Sequence, residues 1–354
     1  MAVTHVIGLD IGSTTVRAAE LEFGKNARTA AGAPTVVRVG QVPLPLGAVR
    51  DGEVVQPETV SSALRRLWSE SKFQTKDVVI GVGNQRVIVR EMELPWMPLA
   101  EIKKSLPYQV SDSLPMSVDD ALLDYHAVAA VDTPQGRMVH GLLVAAQRDT
   151  VTSNVLAVEG AGLRPSMVDL NGFALLRALA RGDFARANVA FVDIGASVTT
   201  VVVATHGSPR LVRYLPVGGH SVTSAVAAAM SIPAPDAEVV KREVGVGYGV
   251  PQERQHVAEA VSGVVRGLVE GIRNTFVYFQ GNNPGQGIDV IVLTGGGSQL
   301  PGLGQYLSSA SRLPVTTGDA LAGLKTARTF ERGSINGNES SFALSIGLAY
   351  GVAA

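Results

Sequence analysis

Two aspartates, Asp10 and Asp193, stand 183 positions apart in near-copies of one short pattern, Gly8-Leu-Asp10-Ile-Gly12-Ser13-Thr14-Thr15 and Val192-Asp193-Ile-Gly195-Ala196-Ser197. Each copy runs from an apolar strand through Asp, a tight glycine turn and small residues into a second apolar strand. A glycine turn between strands points backbone N–H groups outward, where they can hold an anion. A carboxylate beside it can hold Mg²⁺, usually through water. One such turn binds a phosphate weakly, but two facing each other across a cleft would clamp a nucleoside triphosphate. The repeat therefore predicts Gly12, Ser13, Thr14 and Thr15 as phosphate contacts on one wall and Gly195, Ala196 and Ser197 on the other. Asp10 and Asp193 are the expected Mg²⁺-facing carboxylates, with Asp193 also placed to orient an attacking water.

Two further groups carry chemistry. Gly295-Gly296-Gly297 follows a short apolar run, Asp289 to Leu293. Three glycines there let the chain pass close under a flat ligand that side chains would block. Glu238 and Lys241 sit one helical turn apart, which suits either a ligand contact or a solvated ion pair. Other chemistries fare poorly. There is no GxxxxGK[ST] loop, and Gly245 to Gly249 lacks the dinucleotide spacing. Ser298 lacks the final glycine of a nucleophile elbow. The six histidines are dispersed rather than grouped as metal ligands.

These groups must be positioned by a chain of 354 residues whose 46% apolar content supports two or three compact units. Thirty basic against thirty-one acidic residues give no nucleic-acid footprint. The absence of cysteine excludes disulfides and thiolate-held metal, and makes a reducing cytoplasm the default expectation. The N-terminal residues do not read as a signal peptide, and no apolar run approaches the ~20 residues of a membrane span.

Along the chain, strands over 3–11, 14–22 and 35–42 precede a helix from Pro57 to Ser71, with Val60, Leu64 and Leu67 at helical spacing, and a buried strand Asp77–Gly83. From about 85 to 167 the pattern becomes a small α+β insertion: a strand Val87–Leu94, a helix Leu99–Val110, strands Ala121–Ala130 and Met138–Ala146, and a helix Asp149–Gly160. The hairpin pattern then restarts at Asn188. Strands Ser197–Ala204 and Arg210–Pro216 follow, then helices Gly219–Met230, Pro235–Val244 and Gln252–Gln280, the apolar strand and a helix beginning near Gln299. Residues 318–341 read as a polar, mobile loop, and the segment from Phe342 as a core helix. The fold class is α/β, with an internal duplication. Its expected first half is 1–84 continued by 168–187 and 335–354, its insertion 85–167, and its second half 188–334.

Two strand–turn–strand phosphate signatures and a late strand ending in three glycines, in this order, resemble the actin and sugar-kinase ATPase superfamily. Within it the chain is most similar to the PilM family of actin-like type IV pilus assembly proteins, and more distantly to FtsA. The similarity to PilM spans nearly the whole chain. It is clearest in the insertion, at Val89-Arg-Glu-Met-Glu-Leu-Pro95, Glu101-Ile-Lys, Leu114-Pro-Met and Leu123-Asp-Tyr125, and in the closing Gly347-Leu-Ala-Tyr. No stretch reads as the terminal membrane-binding helix common in FtsA-like proteins.

The resemblance implies an actin-like, ribonuclease H-like duplicated fold that binds ATP and Mg²⁺. It gives Arg17 a phosphate contact, where the residue alone would equally cap a strand face. It also brings Gly218 and Gly219 toward the ribose or phosphates, and Glu238 and Lys241 toward the nucleoside. At the position where relatives often carry a catalytic carboxylate stands Asn171, which orients a water but accepts no proton, with Asp169 as a nearby substitute; hydrolysis is expected to be slow at most. The implied partner is the N-terminal cytoplasmic peptide of a PilN-like inner-membrane protein, with other pilus machinery components and self-association as further contacts. The chain itself would be cytoplasmic and reach the inner face of the membrane only through partners. The expected groove lies between the insertion and the first half, at Leu94, Trp96 and Met97, although Trp96 would equally fill the insertion's own core. A type II secretion role is a close variant. The alternatives are an FtsA- or MreB-like polymerising ATPase and a small-molecule kinase of the same superfamily.

Overall fold

A computed structural model describes residues 4–24, 34–134, 136–247, 251–328, 330, 332–335 and 337–351. Strands β1 (Thr4–Ile11), β2 (Thr15–Phe23) and β3 (Thr35–Pro43) form an antiparallel meander. A small hairpin, β4 (Val49–Arg50) and β5 (Glu53–Val54), leads to helix α1 (Pro57–Ser71). Pro57 opens α1, and its buried Val60, Leu64 and Leu67 hold one face on the sheet. β6 (Asp77–Val82) then pairs parallel to β1.

The insertion follows as β7 (Val87–Pro95), α2 (Leu99–Val110), β8 (Ala121–Thr133) and β9 (Gly136–Gln147). Its three strands are ordered β7-β9-β8. Ile102, Leu106 and Val110 of α2 close one face over Leu94, Tyr125 and Leu143.

Helix α3 (Arg148–Gly160) and strand β10 (Arg164–Leu170) come next. The expected boundary at 167 puts α3 and the first part of β10 in the insertion, but both elements pack with the first half. Ala157 and Val158 join the core beneath α1, Ser61 donates its hydroxyl to the Ala157 carbonyl at 2.7 Å, and β10 pairs parallel to β6. An apolar helix face has nowhere to bury on a three-stranded sheet already covered by α2, whereas the first sheet offers a full layer. Helix α4 (Asn171–Leu179) then crosses to the second half.

There β11 (Asn188–Ile194), β12 (Thr199–Thr205) and β13 (Ser208–Leu215) repeat the meander. Helices α5 (Gly219–Met230), α6 (Ala234–Val244) and α7 (Gln255–Asn282) lead to β14 (Val290–Thr294), α8 (Leu303–Ser311) and β15 (Val315–Thr317). Gln252–Arg254 is a separate 3-10 turn before α7, and another, Gly296–Gln299, precedes α8, which starts four residues later than expected. Part of the Gly245–Gly249 stretch lies outside the described residues.

Residues 318–341 are more than a loop. β16 (Lys325–Thr326) pairs with β3 in the first sheet rather than the second, and Ala320, Leu321 and Ile335 are buried. Helix α9 (Ala343–Ala349) closes the chain in full burial; Val352 to Ala354, expected to continue it, lie outside the described residues.

The first sheet runs β10-β6-β1-β2-β3-β16 and the second β13-β12-β11-β14-β15. Reading β1, β2, β3, β6 and β10 against β11, β12, β13, β14 and β15 gives the same order and the same parallel and antiparallel pairings. Helices α4 and α9 are sandwiched between the two sheets. A Cβ at Gly347 would lie 1.9 Å from the Ala174 carbonyl oxygen, so glycine is required for these helices to touch.

Candidate functional site

The β1–β2 and β11–β12 hairpins end in equivalent turns. Gly12 donates its N–H to the Thr15 carbonyl at 3.1 Å, and Gly195 donates to the Val198 carbonyl at 3.0 Å. The two turns open onto one cleft. The end expected to take the phosphates is lined by Asp10, Gly12, Ser13, Thr14, Thr15 and Arg17 from the first half, by Asn171, and by Asp193, Gly195, Ala196, Ser197, Gly295 and Gly296 from the second. Residues that lie 183 positions apart in the sequence thus share one cavity.

The electrostatics of the cleft floor are those of two carboxylates short of counter-charge. Burial pushes Asp10 up to about 6, with the nearby Arg17 guanidinium pulling the other way. Burial, and next the Asp10 charge, push Asp193 up to about 7, against a smaller pull from Arg17. Arg17 donates Nε to Gln41 at 3.2 Å and lines the cleft, so it does more than cap a strand face. A divalent cation beside the two carboxylates would supply the missing positive charge. Groups of three or more His, Cys, Asp or Glu able to hold a metal are absent among the described residues. A cation here would therefore keep waters and phosphate oxygens in its shell, as Mg²⁺ does. The residues present fit MgATP.

A second chamber adjoins the first at Gly296. It is lined by Gly218, Gly219, Glu238, Lys241, Arg242 and Gly297, with an apolar wall of Ile194, Val222, Val265, Leu268 and Leu303. Lys241 is buried and donates Nζ to Glu238 Oε2 at 2.6 Å, to Thr223 Oγ1 at 3.0 Å and to the Gly219 carbonyl at 3.2 Å. The Glu238 carboxylate is desolvated, yet its bonds to Lys241 and Thr223 hold it below the usual glutamate range. This is a built polar network rather than a solvated ion pair.

The glycines divide into two kinds. A Cβ at Gly297 would lie 2.6 Å from Ile194 Cγ2 and 2.9 Å from its carbonyl oxygen; one at Gly218 would lie 2.4 Å from the Gly195 carbonyl oxygen. Gly295, at φ 82°, would meet Asp193 Oδ1 at 2.7 Å. These three let the second glycine turn pack against its neighbours. Of the triplet only Gly296 faces open space, the nearest atoms to a Cβ there being 4.0 Å away, whereas one at Gly219 would meet Gly297 Cα at 3.3 Å. Sequence reasoning assigned the whole triplet to ligand approach, but most of it serves approach between backbones. The helix α5 N-terminus is likewise tied to this turn, with Gly219 and His220 donating N–H to the Gly195 and Ala196 carbonyls.

Asn171 begins α4 and packs against Gly81 and Gly83, with its side chain at the phosphate end. Asp169 does not reach the cleft, because its carboxylate is held by Arg177 beside Gly351. It is thus no substitute base. Ile11 and Val198, inside the two hairpin motifs, also line this end, and Gly52, Gly83, Thr200, Ser341 and Leu344 complete the lining and were missed. Thr200 was recoverable, since it follows Asp193 by the same seven positions that separate Arg17 from Asp10. The others arrive through tertiary packing and leave no local signal.

At the expected partner groove the three residues part company. Leu94 is 1% exposed in the insertion core, and Met97 is half-buried against the same cluster. Trp96 is 51% exposed, its ring under the Arg137 guanidinium at 5.1 Å. Trp96 therefore does not fill the insertion's core, and Leu94 is not available to a partner.

A family model described as "Type IV pilus assembly protein PilM" matches residues 8–351. Cell division protein FtsA of Escherichia coli strain K12 is 26% identical over 344 residues, covering 84% of this chain and 80% of that protein. Among solved structures, the PilM-PilN type IV pilus biogenesis complex contains a chain that superposes with a TM-score of 0.84 at 25% identity, over 98% of each chain. The ethanolamine utilization protein EutJ of Carboxydothermus hydrogenoformans (TM-score 0.57, 14% identity, 99% of this chain and 90% of that one) shares the fold. So does ADP-bound MreB5 of Spiroplasma citri (TM-score 0.51, 14% identity, 97% and 94%). The α/β duplication described above is the actin-like fold.

Proposed function

The chain belongs to the PilM family of type IV pilus assembly proteins, and from that membership we propose that it is a nucleotide-dependent docking protein. In this reading it binds ATP with Mg²⁺ between its two halves and, when loaded, holds the N-terminal peptide of a PilN-like inner-membrane protein. The similar solved chain comes from a PilM-PilN complex, which supports the partner. The chain then attaches to the inner face of the membrane through that partner; no helix among the described residues is long and apolar enough to cross a membrane.

One observation carries the nucleotide reading: two identically closed glycine turns, one from each half, face a single cleft floored by Asp10 and Asp193. The bound cation would supply the positive charge that this floor lacks. Backbone N–H groups around Gly12 and Gly195 hold phosphate oxygens, Arg17 adds a guanidinium fork, and Gly296 leaves room for the nucleoside beside Glu238 and Lys241. Closing on the nucleotide joins the halves, which is how occupancy reaches a partner site. Asn171 can orient a water but cannot take its proton, so the site holds ATP longer than it turns it over. A small-molecule kinase needs a further acceptor base, yet Asp10 and Asp193 are the only carboxylates among the described residues lining the phosphate end.

Calorimetric titration of ATP, with and without Mg²⁺, into the wild type and Asp10→Ala tests the reading. We expect the Mg²⁺-dependent part of the affinity to fall at least tenfold in the variant. Unchanged Mg²⁺-dependent binding overturns the site, and a partner peptide whose affinity ignores ATP overturns the coupling.

A further inference from the structure

Strands β7 and β13 each end their sheets, β7 pairing only with β9 and β13 only with β12. These two edges approach each other over part of their length and border one groove between the insertion and the second half, lined by Val87–Glu91 on one side and Arg210–Tyr214 on the other. Five residues of strand on each wall give a channel of about 17 Å, the length of one ordinary strand. The lining is partly apolar, through Val87, Val89, Leu142 and Tyr214.

The charge of the groove is one-sided. Arg90, Arg210 and Arg213 line it against a single carboxylate, Glu91, which Arg210 already engages at 3.3 Å. Arg90 donates to the Ser113 carbonyl, and exposed Arg213 lies over the Tyr278 ring at 5.6 Å; neither has a carboxylate partner among the described residues. The apolar surface continues onto the end of α7, where Val277 and Tyr278 are exposed.

We propose that this groove is a docking site for an extended, acidic segment of a protein partner, which runs along the groove and sets its carboxylates against Arg213 and Arg90. Charge-assisted contacts to the guanidinium groups and apolar contacts to the valine and tyrosine side chains hold it there. The groove lies toward the start of β7, whereas Trp96 follows its last residue. The site is therefore separate from the surface around Trp96, and it stands whether or not nucleotide binds.

The test uses the full chain without nucleotide and a fluorescein-labelled heptapeptide of alternating Glu and Val, followed by anisotropy. We expect saturable binding, a loss of at least tenfold with Arg213→Glu, and no change with Trp96→Ala. Equal binding by the Lys-Val counterpart, or by Arg213→Glu of unchanged thermal stability, overturns the proposal. Self-association of the chain that Arg213→Glu abolishes, with no peptide binding, would make the occupant a second copy and overturn the partner assigned here.

Discussion

Asp10 stands directly across its hairpin from Arg17, whereas Asp193 stands across the equivalent hairpin from Thr200. The duplication thus repeats the carboxylate but not the cation, and the two carboxyls rise to about 6 and about 7 respectively. Both lie above the ordinary 3.8, so the folded chain binds these protons more tightly than the unfolded chain. The stability they contribute is fully present below about pH 4 and is lost as pH rises toward 7. Asp193→Asn keeps the shape without the charge. In the absence of nucleotide it should stabilise the protein at pH 8 by up to about 4 kcal/mol, at 1.36 kcal/mol per unit, and leave it unchanged at pH 4. MgATP should then stabilise the variant less than the wild type. Thermal melts at the two pH values decide the matter; a stabilisation no greater at pH 8 than at pH 4 would show that the floor is not under electrostatic strain.

Gly296 and Gly297 are neighbours with opposite surroundings, and alanine separates them. At Gly297 the new methyl group meets Ile194 and the Gly195 carbonyl within about 3 Å, so the second phosphate turn must shift, at a cost of about 1–3 kcal/mol. At Gly296 it meets nothing closer than 4.0 Å. Gly296→Ala should therefore melt like the wild type yet bind ATP more weakly, because the methyl occupies the junction of the two chambers. Normal ATP affinity in Gly296→Ala would move the nucleotide away from this turn.

The Lys241–Glu238–Thr223 network gives a third test. Replacing Glu238 with Gln leaves a buried ammonium without its anion, and breaking such a pair is more harmful than never having built it. Glu238→Gln should lower the melting temperature and weaken ATP at least tenfold while leaving the affinity for inorganic triphosphate unchanged, since the network lines the nucleoside chamber and not the phosphate end. Equal losses for both ligands would place the network's role in folding alone.

The contrast between these sites shows what the sequence could and could not convey. The turns at Gly12 and Gly195 were legible because their chemistry is local: strand, aspartate, glycine and strand are consecutive, and the pattern occurs twice. Asp169 looked equivalent to Asn171 because one-dimensional distance says nothing about direction. At the β10–α4 junction Asn171 turns toward the cleft, while Arg177, eight positions on, captures Asp169. The placement of α3 was illegible for a related reason. Its apolar face fits any sheet, and only the prior cover of α2 over the insertion sends it to α1. Gly52 and Gly83 reach the phosphate end through packing of separate segments, which leaves no mark on the residues around them.

Leu94 and Trp96 lie two residues apart on opposite sides of the insertion's surface, and truncating each should fail in a different way. Leu94 fills the cluster of Ile102, Leu106, Tyr125 and Leu143, so Leu94→Ala should cost about 2–5 kcal/mol by loss of burial and a cavity. Trp96 projects from the end of β7 with Arg137 over its ring, and away from core features such a residue contributes within about 0.5 kcal/mol of nothing to folding. A rigid, exposed indole between Pro95 and Pro98 is instead suited to anchor a peptide, where losing an aromatic anchor costs about 2 kcal/mol or more, roughly 30-fold in affinity. Trp96→Ala should accordingly retain the wild-type melting temperature and bind the N-terminal peptide of a PilN-like protein far more weakly. Binding is read by fluorescence titration against ATP-loaded protein. If Trp96→Ala binds as the wild type does, while Leu94→Ala loses binding only in proportion to its unfolding, the peptide docks elsewhere on the chain and the indole is a surface feature without that role.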